Sequence, residues 1–305
     1  SLYTWARRAA ADGVAPIRPL YHDYPRRMGA YSHHTEFLFG DLVVVPMVHR
    51  ADATGLAQES AWLPQGTWFD LPTGRRYTVA SDEGAELALS RRLEQVPVLA
   101  RAGSVVVLAG ELSEAAGANP RRLDVLVVPG ADGFFVLEED DGSPEPGADA
   151  VVRTRFSLAW DEDAGSARLE ITQEGPRGVV PEAREITVRL LSVGGDARAS
   201  LDGRPVEVGV RPADGLTLGG GLDVALGEVS LADGGATLSL EGVRTEPPGL
   251  ADEVFSILEP VEIDYMVKDR AWEVVRSGAT GGALLGGLRA VGVPDAVLAA
   301  IAEVA

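Results

Sequence analysis

The sequence predicts a mainly β chain: a helix–strand unit at its front, two antiparallel β-sandwich domains, and a helical tail. Three observations carry this. Short segments of period-two apolar alternation recur between residues 41 and 240, separated by turns rich in Gly, Asp and Pro. The first residues instead repeat apolar side chains at i, i+3, i+4 and i+7, at Leu2, Trp5, Ala6 and Ala9. A helical period returns after the break at Glu246-Pro247-Pro248-Gly249. The division that follows is 1–35, 36–109, 110–245 and 246–305.

Composition narrows the function classes. At 305 residues and 46% hydrophobic content, the chain is long enough for two or three domains and too apolar to be disordered. No apolar run approaches the ~18 residues of a membrane span, and nothing at the start reads as a signal peptide. A net charge of −19 repels phosphates, which argues against nucleic acid as a partner, whereas a neutral sugar is indifferent to it. There is no cysteine, hence no disulfide, thiolate metal ligand or cysteine nucleophile, as fits a cytoplasmic protein. Lys268 is the only lysine, an Arg bias that GC-rich coding explains and that leaves little room for Schiff-base chemistry.

Taken in order, the first helix ends at Asp12-Gly13 and a strand holding Ile17 follows. Next come Tyr21, His22, Asp23 and Tyr24, polar and aromatic groups of the kind that line a sugar pocket. His33 and His34 are adjacent, but neighbouring loop histidines point apart and no third ligand stands at useful spacing, so a structural or solvated role is expected. His49 reads as a solvated strand-end histidine. Residues 42–45 are apolar at four consecutive positions, the signature of a strand buried on both faces. Pro64-Gln65-Gly66 predicts a hairpin between 61–63 and 67–71, with further turns at Pro72-Thr73-Gly74 and Ala102-Gly103. Trp62, Trp68 and Phe69 are either a sugar-stacking platform or the core of a small sandwich.

Residues 110–120 read as an interdomain linker. Glu138-Glu139-Asp140-Asp141-Gly142 would offer calcium its oxygens, but EF-hand spacing is absent and a hairpin tip with solvated acids is expected. No metal and no cofactor is expected elsewhere. Phe156, Leu158 and Trp160, then Leu169 and Ile171, alternate across the turn at 161–165. Ile186, Val188 and Leu190, then Val206, Val208 and Val210, then Leu238 and Leu240 continue the series of an antiparallel sandwich with one wet face. Gly219-Gly220-Gly221 lacks both the spacing and the strand–helix context of a phosphate cradle and reads as a loop. In the tail, Leu258, Val261, Tyr265 and Trp272 are expected to share a helical face and 277–287 to be a flexible glycine-rich link. Pro294 opens a last helix with Val297, Leu298, Ile301 and Val304 on one side.

RPLYHDYP at 18–25 followed by EFLFGDLVVVPMV at 36–48 resembles the end of the catalytic barrel in family 31 glycoside hydrolases, the α-glucosidase and α-xylosidase family. WLPQGTWFDLPTG at 62–74, VPVLARAGSVVVL at 96–108 and FFVLEEDDG at 134–142 match later segments of that family in the right order. The chain departs from the pattern by one residue missing before the strand and by Val-Pro-Met-Val where Ala-Pro-Val is usual.

The resemblance implies that 1–35 is the last unit of a (β/α)8 barrel whose seven other units lie outside this sequence. It also implies that 36–109 and 110–245 are the proximal and distal sandwiches. Family members cleave α-glycosidic bonds from the non-reducing end with retention, which takes two carboxyl groups about 5–5.5 Å apart. In the family both are aspartates upstream of the matched segment, so no catalytic residue is assigned here. Tyr21, His22 and Asp23 fall where the last barrel strand meets the active-site face, and are expected to line or support the substrate pocket; a hydrogen-bonded strand end is the competing role. The expected partners are α-linked glucoside or xyloside oligosaccharides and the N-terminal barrel of the same enzyme. A homo-oligomer is compatible, and the 305-residue chain alone is expected to be inert. A non-catalytic carbohydrate-binding or scaffolding β-sandwich protein is the alternative, and a transglycosylase or lyase on the same scaffold is not separable from a hydrolase.

Overall fold

A computed structural model of the chain describes residues 2–110, 119–143, 147, 150–214, 217–232 and 234–305. Most of the linker expected at 110–120 lies outside the described residues. Helix α1 (Leu2–Asp12) stops at Gly13, whose φ of +71° suits a residue without a Cβ. There follow β1 (Ile17–Pro19), a 3-10 turn (Leu20–His22), α2 (Gly29–Ser32), β2 (Phe37–Phe39), β3 (Leu42–Val44), β4 (Ala57–Leu63), β5 (Gly66–Asp70) and β6 (Arg76–Val79). Next are β7 (Ala85–Arg91), β8 (Val98–Arg101), β9 (Val105–Ala109), β10 (Arg122–Val127), β11 (Gly133–Asp140), β12 (Val151–Asp161), β13 (Ser166–Glu174) and β14 (Arg184–Leu191). The strands end with β15 (Val193–Gly194), β16 (Arg198–Leu201), β17 (Arg204–Val206), β18 (Val208–Arg211), β19 (Gly221–Val229), β20 (Ala236–Glu241) and β21 (Arg244–Thr245). Helices α3 (Leu250–Leu258), α4 (Tyr265–Arg276), α5 (Gly281–Ala290) and α6 (Asp295–Ala302) close the chain. At 39% strand and 20% helix the protein is mainly β with C-terminal helices, as the sequence predicts. No helix among the described residues is long and apolar enough to cross a membrane. The chain divides into two compact units, one of 1–17, 100–213 and 219–246, the other of 18–99, 214–218 and 247–305.

In the first unit a five-stranded sheet (β18-β19-β14-β10-β9) and a six-stranded sheet (β11-β12-β13-β20-β16-β17) share one apolar core. The predicted alternation is what fills it: Phe156 and Leu158 lie opposite Ile171 and Leu169, and Val125 pairs with Val188. That last pairing is parallel, so the unit is not purely antiparallel as expected; β14 runs beside β10 after the β11–β13 excursion into the other sheet. Val206 and Val210 part company as well, because β17 ends one sheet and β18 edges the other, leaving Val210 84% exposed. The acidic run is also not a solvated tip. Glu138 and Glu139 belong to β11, and Glu139 is buried in a two-pronged pair with Arg184, at 2.7 and 2.8 Å.

Helix α1 packs on β11, but not by the face its apolar residues define. Leu2 is exposed, whereas Thr4 is fully buried and half-buried Trp5 rests against the core. The reason is the edge of β11. Thr4 Oγ1 accepts from Glu138 N (2.9 Å) and donates to Glu138 O (3.2 Å), and Arg8 donates to Val136 O, so the helix satisfies backbone groups an edge strand leaves open.

The second unit holds a six-stranded sheet (β1-β2-β3-β8-β5-β6) and the β4–β7 pair. The turn at 64–66 therefore joins two different sheets and not a hairpin: β4 pairs with β7 and β5 with β6. In β3 and the residue after it, only Val43 and Val45 are buried, an alternation rather than burial on both faces. Trp62, Trp68 and Phe69 are buried core, and the stacking-platform reading falls with them. The glycine-rich stretch 277–287 is not a link: most of it is α5, where a Cβ on Gly287 would meet Val274 of α4 at 2.7 Å, so the missing side chain lets the helices close. Tyr265 begins α4 after a break at 259–264 and is 73% exposed, off the apolar face assigned to it, while Val297, Leu298 and Ile301 are buried as predicted.

The tail is fixed by charge as well as by its apolar core. Just beyond α6, buried Glu303 accepts from Arg91 Nη1 (2.6 Å), Arg75 Nη1 (2.9 Å), the Tyr77 hydroxyl (2.6 Å) and Ser90 N (2.7 Å). Arg91 also reaches Asp70 (2.8 Å) and Arg75 reaches Glu253 (2.7 Å), giving each buried guanidinium two carboxylates.

Candidate functional site

The residues from Arg18 to Tyr31 form a shallow polar and aromatic surface in the second unit. Pro19 sets the entry to the 3-10 turn with φ −65°, and buried Leu20 pins the turn from beneath. Tyr21 and His22 are thereby turned outward. Arg18, only 7% exposed, supplies the electrostatic anchor. Its Nε donates to Asp23 Oδ1 (2.7 Å), its Nη2 to Asp23 Oδ2, and its Nη1 to the carbonyl of Gly40 (2.9 Å). Hydrogen bonding to Arg18, against the opposing effect of burial, holds the Asp23 carboxyl below its ordinary range.

His22 Nδ1 lies 3.1 Å from Asp23 Oδ1, so the carboxylate orients the imidazole as well. Tyr21 stacks on Tyr31, with centroids 5.1 Å apart and planes within 9°, and the Tyr31 hydroxyl donates to Pro25 O. Both rings stay open, at 42% and 47% exposed. Behind the turn Tyr24 meets Trp62 edge-on at 5.7 Å. Trp62 is clamped between Gly29 and Gly84, where added Cβ atoms would fall 2.1 and 2.5 Å from its ring. His33, at the end of α2, is tethered through Nδ1 to Gly29 O (3.0 Å) and through Nε2 to Ser60 Oγ (3.2 Å), a structural role. His34 is exposed; His49 is exposed too but tied to buried Glu59 (2.9 Å).

Of the residues the sequence singled out, His22 and Asp23 are thus brought together, and Tyr21 faces Tyr31 instead. Sequence reasoning missed Tyr31 as part of this surface and Arg18 and Trp62 as the buried groups that support it. An arginine five positions before an aspartate was the available signal for Arg18. The others come together only through the fold. Chemically, the open aromatic pair suits stacking on a pyranose face, and an ion-paired carboxylate with an oriented imidazole suits hydrogen bonding to hydroxyls. Asp23, kept ionised, is poorly suited to donate a proton as a general acid. Among the described residues, no group of three or more His, Asp and Glu side chains comes together as a metal ion would require.

The glycosyl hydrolase family 31 C-terminal domain matches residues 13–106, a span that contains this surface. The alpha-xylosidase of Saccharolobus solfataricus is 25% identical over 189 residues, covering 61% of this chain and 24% of the relative. Alpha-glucosidase 2 of Bacillus thermoamyloliquefaciens is 28% identical over 143 residues, covering 46% and 17%. Among solved structures, a family 31 dextranase of Flavobacterium johnsoniae complexed with isomaltotriose superposes with a TM-score of 0.61 at 17% identity, covering 79% of this chain and 31% of the dextranase. A cycloalternan-forming enzyme of Listeria monocytogenes, in complex with a pentasaccharide substrate, gives 0.59 at 20%, covering 81% and 22%. These two likenesses concern the fold. Residues 13–106 carry the glycosyl hydrolase family 31 C-terminal domain region, and the two curated relatives are an alpha-xylosidase and an alpha-glucosidase. The chain spans about a quarter or less of the length of these two curated relatives.

Proposed function

We propose that this chain is the C-terminal part of a retaining, exo-acting α-glycosidase, an α-glucosidase or α-xylosidase working in the cytoplasm. Residues 1–35 would complete a (β/α)8 barrel, 36–109 and 110–245 would form the proximal and distal sandwiches, and 246–305 a helical tail. Tyr21, His22 and Asp23 would lie beside the substrate, which they contact or support, while the acid pair that performs the chemistry comes from the barrel. The observation that carries this reading is the family match across 13–106, which includes a surface whose open aromatic pair and anchored carboxylate suit a sugar. The test is hydrolysis of 4-nitrophenyl α-glucoside and α-xyloside by the 305-residue chain and by a longer form that includes any in-frame upstream coding sequence. Turnover only by the longer form is expected. Turnover by the 305-residue chain, or binding of that chain to immobilised glucans with no activity in any longer form, would overturn the proposal, the second outcome in favour of a carbohydrate-binding protein.

A further inference from the structure

One buried acid next to the candidate site has no part in the reading above. Glu36, between α2 and β2, is 2% exposed. Its Oε1 accepts from the backbone N–H of Trp62 at 2.6 Å, while its Oε2 has no hydrogen-bond partner among the described residues. A carboxylate so placed pays for burial with a single hydrogen bond, and a protonated carboxyl is the cheaper occupant. The charged and titratable groups around it do not relieve this. Glu59 on β4 repels it and is itself held by Val48 N and His49; His33 is committed to Gly29 and Ser60; Glu86 of β7 pairs across from Trp62. Arg27 of the adjoining loop is paired with Glu83.

The residue Glu36 grips is the one on which the candidate site rests. The Trp62 ring meets Tyr24 and lies against Gly29, so it braces the segment 24–33, while Glu36 accepts from the backbone N–H of the same residue. Helix α2 has only four residues and lacks a side-chain cap, so this packing, together with the His33 tethers, is what holds it.

We propose that Glu36 is a proton-operated latch for this segment: the neutral acid keeps α2 closed on β4, and loss of its proton to solvent draws water to the carboxylate and frees α2 together with Tyr31. The latch stands apart from the identity of the enzyme, because it needs only the second unit and no sugar. Burial, augmented by the charge of Glu59, pushes the Glu36 carboxyl up to about 8, so the opening falls within an accessible pH range. Wild type stays closed below that value and opens as the pH rises through it.

The experiment follows tryptic cleavage after Arg26 and Arg27 in the full chain by mass spectrometry, normalised at each pH to cleavage of a small peptide. Between pH 7 and pH 9 the ionised fraction of a group titrating near 8 rises about tenfold, and the normalised rate should rise with it. Glu36→Gln should abolish the rise, and Glu59→Gln should move its midpoint to lower pH. A wild-type rate flat across this range, or a rise that persists in Glu36→Gln, would overturn the latch. Should Glu36→Gln not fold, an unmoved midpoint in Glu59→Gln would overturn it alone. Loss of the latch would leave the glycosidase reading untouched, since the assays share no readout.

Discussion

Replacing Glu303 by alanine tests whether the helical tail is held by the buried charge cluster or merely rests on its apolar face. Glu303 accepts hydrogen bonds from two guanidinium groups, one hydroxyl and one backbone N–H, all withdrawn from solvent. Removing one partner of a buried pair usually costs about 3–5 kcal/mol, because a charge is left without compensation. Here Arg91 keeps Asp70 and Arg75 keeps Glu253, so the loss should sit at the lower end, about 3 kcal/mol. With a denaturant slope of roughly 2 kcal/mol per molar urea, the midpoint of the second unit should fall by about 1.5 M. Two units need not unfold together, so the probe should be local: amide exchange in α6 and β7, followed against urea. A midpoint that moves by less than about 0.5 M would refute the reasoning and assign the tail's docking to Val297, Leu298 and Ile301. The pH dependence gives a second check. Burial works to raise the Glu303 carboxyl, but Arg91 and Arg75 outweigh it and hold the group below its ordinary range. The stabilisation is therefore complete above the unfolded value near 4.5 and lost as the pH falls through the lowered one, so wild type and variant should converge in acid.

Three further substitutions separate the other devices of the fold. Gly29→Ala places a Cβ 2.1 Å from the Trp62 ring and should destabilise the second unit by about 1–3 kcal/mol with an altered near-ultraviolet dichroism band; an unchanged spectrum and stability would contradict the clamp. Thr4→Val keeps shape but removes both hydrogen bonds to Glu138, and should cost about 1–2 kcal/mol in urea unfolding of the first unit; a neutral result would mean that α1 does not seal the β11 edge. Glu139→Ala strands buried Arg184 and should cost about 3–5 kcal/mol, whereas the paired change Glu139→Leu with Arg184→Met should recover most of it. Equal losses in the single and paired variants would show that packing, and not charge, is at stake.

What could be read in the sequence follows from the range over which each interaction acts. Period-two alternation is local, so β12, β13 and β20 appeared where Phe156, Leu169 and Leu238 placed them. Pairing partners are not local. Pro64-Gln65-Gly66 looks the same whether it joins two strands of one sheet or hands the chain from β4 to a different sheet. Val206 and Val210 keep one alternation across a change of sheet, and nothing in the alternation marks the crossing. The α1 face was misjudged for a related reason: a threonine counts as polar in any periodicity, yet Thr4 is buried because it meets a strand edge that wants hydrogen bonds more than apolar surface.

The candidate site shows the same division and explains why its chemistry was only half legible. Tyr21, His22 and Asp23 are contiguous, so a short segment announced them. The groups that make them usable come from elsewhere: Arg18 crosses its own turn to anchor the carboxylate, and Tyr31 returns through α2 to complete the aromatic pair. Trp62 arrives from β4 to brace the turn from behind. Glu36 belongs to this assembly in a way no motif could signal, since a glutamate before Phe-Leu-Phe is unremarkable until the fold buries it against the backbone N–H of Trp62. Three adjacent side chains are therefore held in shape by Arg18 of their own turn and by Tyr31, Glu36 and Trp62 from three further segments. The order of Tyr21, His22 and Asp23 is thus a property of those supports rather than of the three residues themselves.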